Sequence, residues 1–375
     1  MKKRLLTRAL PACFLLIVLT LTVLFFALPK QDFAENEKRL LSKKPAFSFA
    51  ALLDGTLTEQ WQTYLADHFP LREAFVGLHA YYEQAMGQNG DSGVYRGKDG
   101  YLFAKQGKIN LKKAETNVEA IRAFAQRNGL NTTWMIVPCA GYTLEKKLPP
   151  FHAKYRDGEI IDNVRAQTKG DSFIDCRDVF LQSGGIQLYY KTDHHLTSAA
   201  SRALYEAYCV AQKLEKHDFL PLQTSEGFYG TAYSKSGLWG TKPDTLKLFE
   251  EPGGDYTVTI TEGSDKKKHG SLYFTEHLEN KDQYPVFLDG NHALVKIHNN
   301  NIENGKKLLI VKDSFAHCFT CFLAANYETI YLVDLRYHRT PIGDLLKKEK
   351  IGDLLVLYGA ENLASSTDIA WLSML

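Results

Sequence analysis

An aspartate and two adjacent histidines fill three consecutive positions, Asp193, His194 and His195, inside the stretch YYKTDHHLTSAASR. The chain holds only 12 histidines in 375 residues, so the pairing asks for a chemical reason. Asp193 could orient His195, and an oriented imidazole can take a proton from a hydroxyl. A second stretch, KKLLIVKDSFAHC, ends an apolar strand at Lys312 and places Asp313 and Ser314 at the turn into a helix. A serine at that turn lies near backbone amides that favour developing negative charge. Each stretch also has a plain structural explanation. Asp and Ser are preferred helix caps, and Thr197 or Ser198 could cap the helix SAASRALYEAY. Taken together, the two stretches supply a nucleophile, a base and an orienting acid, and triads are recognised by role and geometry, not by chain order.

Metal chemistry has to be weighed against this. Asp193, His194, His195, His317, Cys318 and Cys321 are all metal-capable. The sequence HCFTC has one CxxC spacing without a second, and it falls on a helical segment. No metal site and no cofactor is expected. The remaining cysteines, Cys13, Cys139, Cys176 and Cys209, are scattered and form no disulfide framework. A net charge of +2 implies no polyanion-binding field, so no nucleic acid is expected as a partner.

The elements that must position these residues alternate along the chain. TTWMIVP, SFIDC, KKLLIVKDS, TIYLVDLRY and DLLVLYG read as apolar strands. Between them AETNVEAIRAFAQRNG, GEIIDNVRAQTK, SAASRALYEAYCVAQKLE, FAHCFTCFLAANY and PIGDLLKKE read as helices. This alternation predicts an α/β fold whose parallel sheet is covered by helices on both faces, with catalytic groups at the carboxyl ends of the strands. GVYRGKDGYLF reads as a hairpin turning at Lys98–Gly100, and two helices precede it between Leu52 and Gly87. Residues 223–306 are richer in Gly, Asp and Lys, with strand-like DYTVTITE and ALVKIHN, and read as an insertion decorating the core.

The N-terminus adds an address. Residues 1–9 form a basic tip carrying Lys2, Lys3, Arg4 and Arg8, and residues 10–28 contain no charge. That run is long enough to span a bilayer, and the basic flank keeps the tip in the cytoplasm. No small-residue cleavage site follows it, which predicts an uncleaved single-pass anchor in the cytoplasmic membrane. Residues 29–51 read as a linker and residues 52–375 as an extracytoplasmic domain.

TDHHLT resembles the motif that names the DHHW proteins, a group of bacterial extracytoplasmic proteins. The resemblance extends through ENEKRLLSKKPAF, DHFPLR, GVYRGKDGYLF, GFYGTAYSKSG, LDGNHALVKI, VKDSFAH and VDLRY. The group is similar to the alginate O-acetylation proteins of the AlgX and AlgJ type, whose domains are SGNH-hydrolase-like with an Asp-x-His pair ahead of the serine. The resemblance therefore implies an SGNH-hydrolase-like sheet, with Asp193 and His195 as the pair and Ser314 as the nucleophile. It departs at Leu196, where the family name has Trp, and this puts an aromatic shelf beside the pair in doubt. Arg336, Asn362, Asn291 and His194 are candidates for oxyanion or substrate contact, each with a structural hydrogen bond as the alternative. The implied activity is acyl, specifically acetyl, transfer on a cell-envelope polysaccharide or exopolysaccharide, with a membrane protein delivering the acyl group. A non-catalytic polysaccharide-binding or envelope-assembly protein, a carbohydrate esterase and a metal-dependent hydrolase are the other readings.

Overall fold

The computed structural model describes residues 2–90 and 92–373. The chain divides into two compact units, residues 1–88 with 234–240, and residues 89–233 with 241–375.

The first unit begins with helix α1, Lys2–Ala27. Its segment Ala9–Ala27 has a mean hydropathy of 2.6 and none of it is buried. At 1.5 Å per residue those 19 residues are long enough to cross a bilayer core. The helix is a candidate membrane anchor or signal sequence; the side chains of the basic tip lie outside the described residues. The segment expected as a linker is tied down. Phe33–Ala34 pairs with Arg39–Leu40, and the Arg39 guanidinium grips the Asp67 carboxylate through two hydrogen bonds of 3.2 and 2.6 Å. The Ser42 amide donates to the same carboxylate, and Arg39, above all, holds Asp67 down at about 2. Helices α2 (Thr56–Asp67) and α3 (Arg72–Ala85), expected within the extracytoplasmic domain, belong to this unit.

The second unit is built on an eight-stranded sheet. Its strands are β1 (Asn131–Val137), β2 (Ser172–Ile174), β3 (Tyr256–Glu262), β4 (Asp265–His269), β5 (Leu294–Asn299), β6 (Lys307–Lys312), β7 (Thr329–Val333) and β8 (Asp353–Gly359), in the spatial order β4-β3-β5-β7-β6-β8-β1-β2. From β7 to β2 all neighbours are parallel. Residues 223–306, expected to decorate the core, do more than that: β3, β4 and β5 continue the same sheet as an antiparallel extension. DYTVTITE shows the alternation of a strand with one buried face, but alternation carries no information about which edge the strand joins.

The inner strands are apolar throughout because both faces are covered. Along β6, Leu308 and Ile310 join the core on one face, with Leu204 and Tyr208 of α4 (Ser198–Gln212) and Phe319 of α5 (Ala316–Leu323). Leu309 and Val311 join the other, with Val118 and Phe124 of helix Leu111–Arg127 and Ile160 and Val164 of helix Asp157–Gln167. Burying each such aliphatic side chain contributes about 1.5–3 kcal/mol. All eight residues of α5 are buried, so the helix that follows Ser314 is clamped on every side. Strand β4, with sequence DKKKH, forms one exposed edge of the sheet.

Candidate active site

The carboxyl end of β6 delivers Ser314. Asp313 fixes the turn: its carboxylate accepts from the Phe315 amide at 3.0 Å, the Gly359 amide at 2.8 Å and Asn362 Nδ2 at 2.7 Å. Burial pushes Asp313 upward, and these three donors work against it. A Cβ on Gly359 would meet the Phe315 ring at 2.7 Å, so the end of β8 can approach the turn only as glycine.

The segment before α4 delivers the other half. Buried Asp244 accepts from the Lys191 amide, the Thr192 amide and Thr192 Oγ1 at 2.8, 2.7 and 2.7 Å, pinning the chain just ahead of Asp193. Thr197 then caps α4, its Oγ1 accepting from the Ala200 amide at 3.2 Å. The cap and the site are compatible, because the cap begins two residues after His195.

These supports bring Asp193, His195 and Ser314 together. His195 Nε2 lies 2.8 Å from Ser314 Oγ. His195 Nδ1 faces Asp193 Oδ1, which also accepts from the His195 amide at 2.9 Å. Asp193 Oδ2 accepts from the Thr231 amide at 2.6 Å and from Thr231 Oγ1 at 3.1 Å. Four acceptor positions of the carboxylate are thus filled. With its proton held on Nδ1 by Asp193, His195 presents a lone pair on Nε2 to the serine hydroxyl. Burial, then the neighbouring His194, lowers His195 to about 4 against the pull of Asp193, so the imidazole is neutral at pH 7. Burial alone would raise Asp193; the two histidines outweigh it and hold the carboxyl well below its usual range.

Thr231 has one hydroxyl proton and gives it to Asp193, so it accepts from His194 Nδ1 at 2.7 Å. His194 is the half-buried member of the group, its ring tilted over His195 with centroids 3.8 Å apart. The ligand atoms of Asp193, His194 and His195 lie within 4.8 Å of one another, which makes them, among the described residues, a group that could hold a metal ion. Asp193 and both ring nitrogens of His195 are already engaged with each other, Thr231 and Ser314, and His194 Nδ1 with Thr231.

The other candidates have different partners. Asn362 donates to Asp313. Arg336 makes a two-pronged contact with Asp334, at 2.9 and 2.6 Å, and reaches Asn291 Oδ1 at 2.8 Å. Asp334 also meets buried Lys312 at 3.1 Å, and Lys312 lies 2.7 Å from His317 Nε2. Burial drives Lys312 and His317 toward their neutral forms. Cys318 and Cys321 are buried free thiols, Cys318 pushed up to about 11 by burial, as suits small core residues.

Three residues that build the site carry no chemical signal of their own. Thr231 lies in GFYGTAYSKSG, a stretch marked by resemblance without a role. Asp244 and Tyr284 come from the 223–306 stretch, and only folding brings them to the DHH segment.

Residues 178–333 match the model of the DHHW protein family. A DHHW family protein from Eubacterium siraeum is similar over 75% of this chain and 95% of its own, with a TM-score of 0.61 and 23% identity. The structure of Bacillus cereus PatB1 with a sulfonyl adduct is similar over 73% of this chain and 96% of its own, at TM-score 0.60 and 18% identity. A second PatB1 structure gives 0.58 and 17%, over 72% and 96% of the two chains. The α/β fold expected from the SGNH-hydrolase-like resemblance is the fold observed, and these solved proteins share it. No curated protein matches the chain.

Proposed function

We propose that this chain is a serine-dependent acyl transferase that moves an acetyl group on a cell-envelope polysaccharide or exopolysaccharide through an acyl-enzyme. The observation that carries the reading is the 2.8 Å approach of His195 Nε2 to Ser314 Oγ, with Nδ1 of the same ring on Asp193. As Ser314 Oγ attacks the ester carbonyl, its proton passes to His195 Nε2, and Asp193 stabilises the imidazolium that forms. The Ser314 amide, at the turn into α5, is the donor offered to the oxyanion. The leaving alcohol takes the proton from His195, and the acyl group stays on Ser314. A sugar hydroxyl then gives its proton to the same imidazole, attacks the acyl-enzyme and restores the serine. Water in place of the sugar makes the reaction ester hydrolysis.

The acetyl group and the glycan acceptor come from the DHHW resemblance, and the extracytoplasmic placement from α1. The DHHW resemblance also implies a membrane partner that delivers the acyl group. The test is to treat the full chain in detergent with phenylmethylsulfonyl fluoride, which would leave a sulfonyl group on Ser314 and release fluoride. Mass spectrometry should find the adduct at Ser314 in the wild type and none in Ser314→Ala, with His195→Ala labelled about 10²–10⁴-fold more slowly. A folded wild-type chain that reacts neither with this reagent nor with 4-nitrophenyl acetate would remove the reading.

A further inference from the structure

The His195 ring lies flat on the ring of Tyr284, with centroids 3.6 Å apart and planes 7° from parallel. Tyr284 opens a short 3₁₀ turn, Tyr284–Val286, and is only 4% exposed. Its hydroxyl donates to the Ser314 carbonyl oxygen at 3.3 Å. One side chain therefore touches the base through its face and the nucleophile's backbone through its edge. Phe315 stands edge-on to the same imidazole, with centroids 5.8 Å apart. Leu196, where the family name has Trp, is buried in the core. The aromatic shelf beside His195 comes instead from nearly ninety residues downstream.

We infer that Tyr284 is the positioning residue of the site, its ring fixing the plane in which His195 points Nε2 at Ser314 and Nδ1 at Asp193. The inference rests on the acyl-transfer reading and deepens it. A histidine attached to one carboxylate can still rock about that bond, and a flat partner at 3.6 Å removes the motion. The ring's electron-rich face also favours the imidazolium that exists while the serine proton is in transit. The same ring keeps water from one side of His195, in line with the burial that lowers its pKa.

The experiment compares sulfonylation of Ser314 across pH in the wild type, Tyr284→Phe and Tyr284→Leu, with thermal unfolding as the check on folding. Labelling of the wild type that depends on His195 must come first; its absence counts against the acyl-transfer reading and not against Tyr284. Given that labelling, Tyr284→Phe keeps the stack and should react within about threefold of wild type, the loss of one buried neutral hydrogen bond being small. Tyr284→Leu should react about 10²-fold more slowly. Its pH midpoint should move upward from about 4 toward the ordinary histidine value as water reaches the ring. Wild-type rate and midpoint in Tyr284→Leu would overturn the inference. If Tyr284→Leu does not fold, Tyr284→Phe decides alone: a rate near that of His195→Ala would assign the effect to the hydroxyl and overturn the role of the stack.

Discussion

Asn362 Nδ2 donates to the Asp313 carboxylate across 2.7 Å, tying the helix after β8 to the turn that carries Ser314. Asn362→Ala leaves a fully buried carboxylate with two donors, Gly359 and Phe315, in place of three. The expected loss is about 1.5–3 kcal/mol, that of a hydrogen bond to a charged group, read as a fall in the thermal midpoint. Ser314 labelling should slow along with it.

Gly230 stands directly against Asp193. A Cβ there would run into the carboxylate, and its amide already donates to Thr192 Oγ1 at 3.1 Å. Gly230→Ala should therefore displace Asp193 and slow Ser314 labelling about 10²-fold. Circular dichroism and the reagent together separate this local displacement from global unfolding.

The acid limb of stability follows from two histidines. The folded state holds His195 near 4 and His317 well below its ordinary value, chiefly through burial. The unfolded chain binds the extra protons first, so stability falls as pH drops from about 6.5 toward 4. Thermal scans at pH 7, 5.5 and 4.5 should show a progressive loss, on the order of a few kcal/mol from His195, with His317 acting in the same direction. His317→Gln should flatten that slope.

Thr197 supplies the cap of α4 through Ala200. Thr197→Ala should cost about 0.5–2 kcal/mol, and Thr197→Ser almost nothing. Because the cap lies two residues beyond His195, Thr197→Ala should also loosen the base. Stability that falls with no change in labelling would separate the two functions of this segment.

Much of the second unit was legible from local pattern. Runs such as KKLLIVKDS and DLLVLYG are apolar at every position because helices cover both faces, and the helices between them carry their own periodicity. Ser314, His195 and Asp193 stood out because strand ends and helix starts are where such side chains gather. What failed to show was pairing at a distance. Nothing in DYTVTITE says that it extends the sheet through β5, and nothing around Tyr284 points to His195. Asn362 and Arg336, candidates for oxyanion or substrate contact, lie just beyond strands β8 and β7. Their partners, Asp313 and Asp334, depend on how adjacent strands are registered. Residues 29–51 read as a linker because what ties them down is long-range, Arg39 with Asp67 and Glu37 with Arg72, and not periodicity.

The exposed edge of the sheet has a consequence for how the protein meets its own copies. Strand β4 offers unpaired backbone groups along DKKKH, and Lys266, Lys267 and Lys268 are exposed on it one after another. A second copy docking edge to edge would bring two rows of ammonium groups into the same ladder, where like charges repel. The lysine row thus opposes edge-to-edge polymerisation of the sheet, and a substitution such as Lys267→Val should weaken that opposition without touching a single residue of the site.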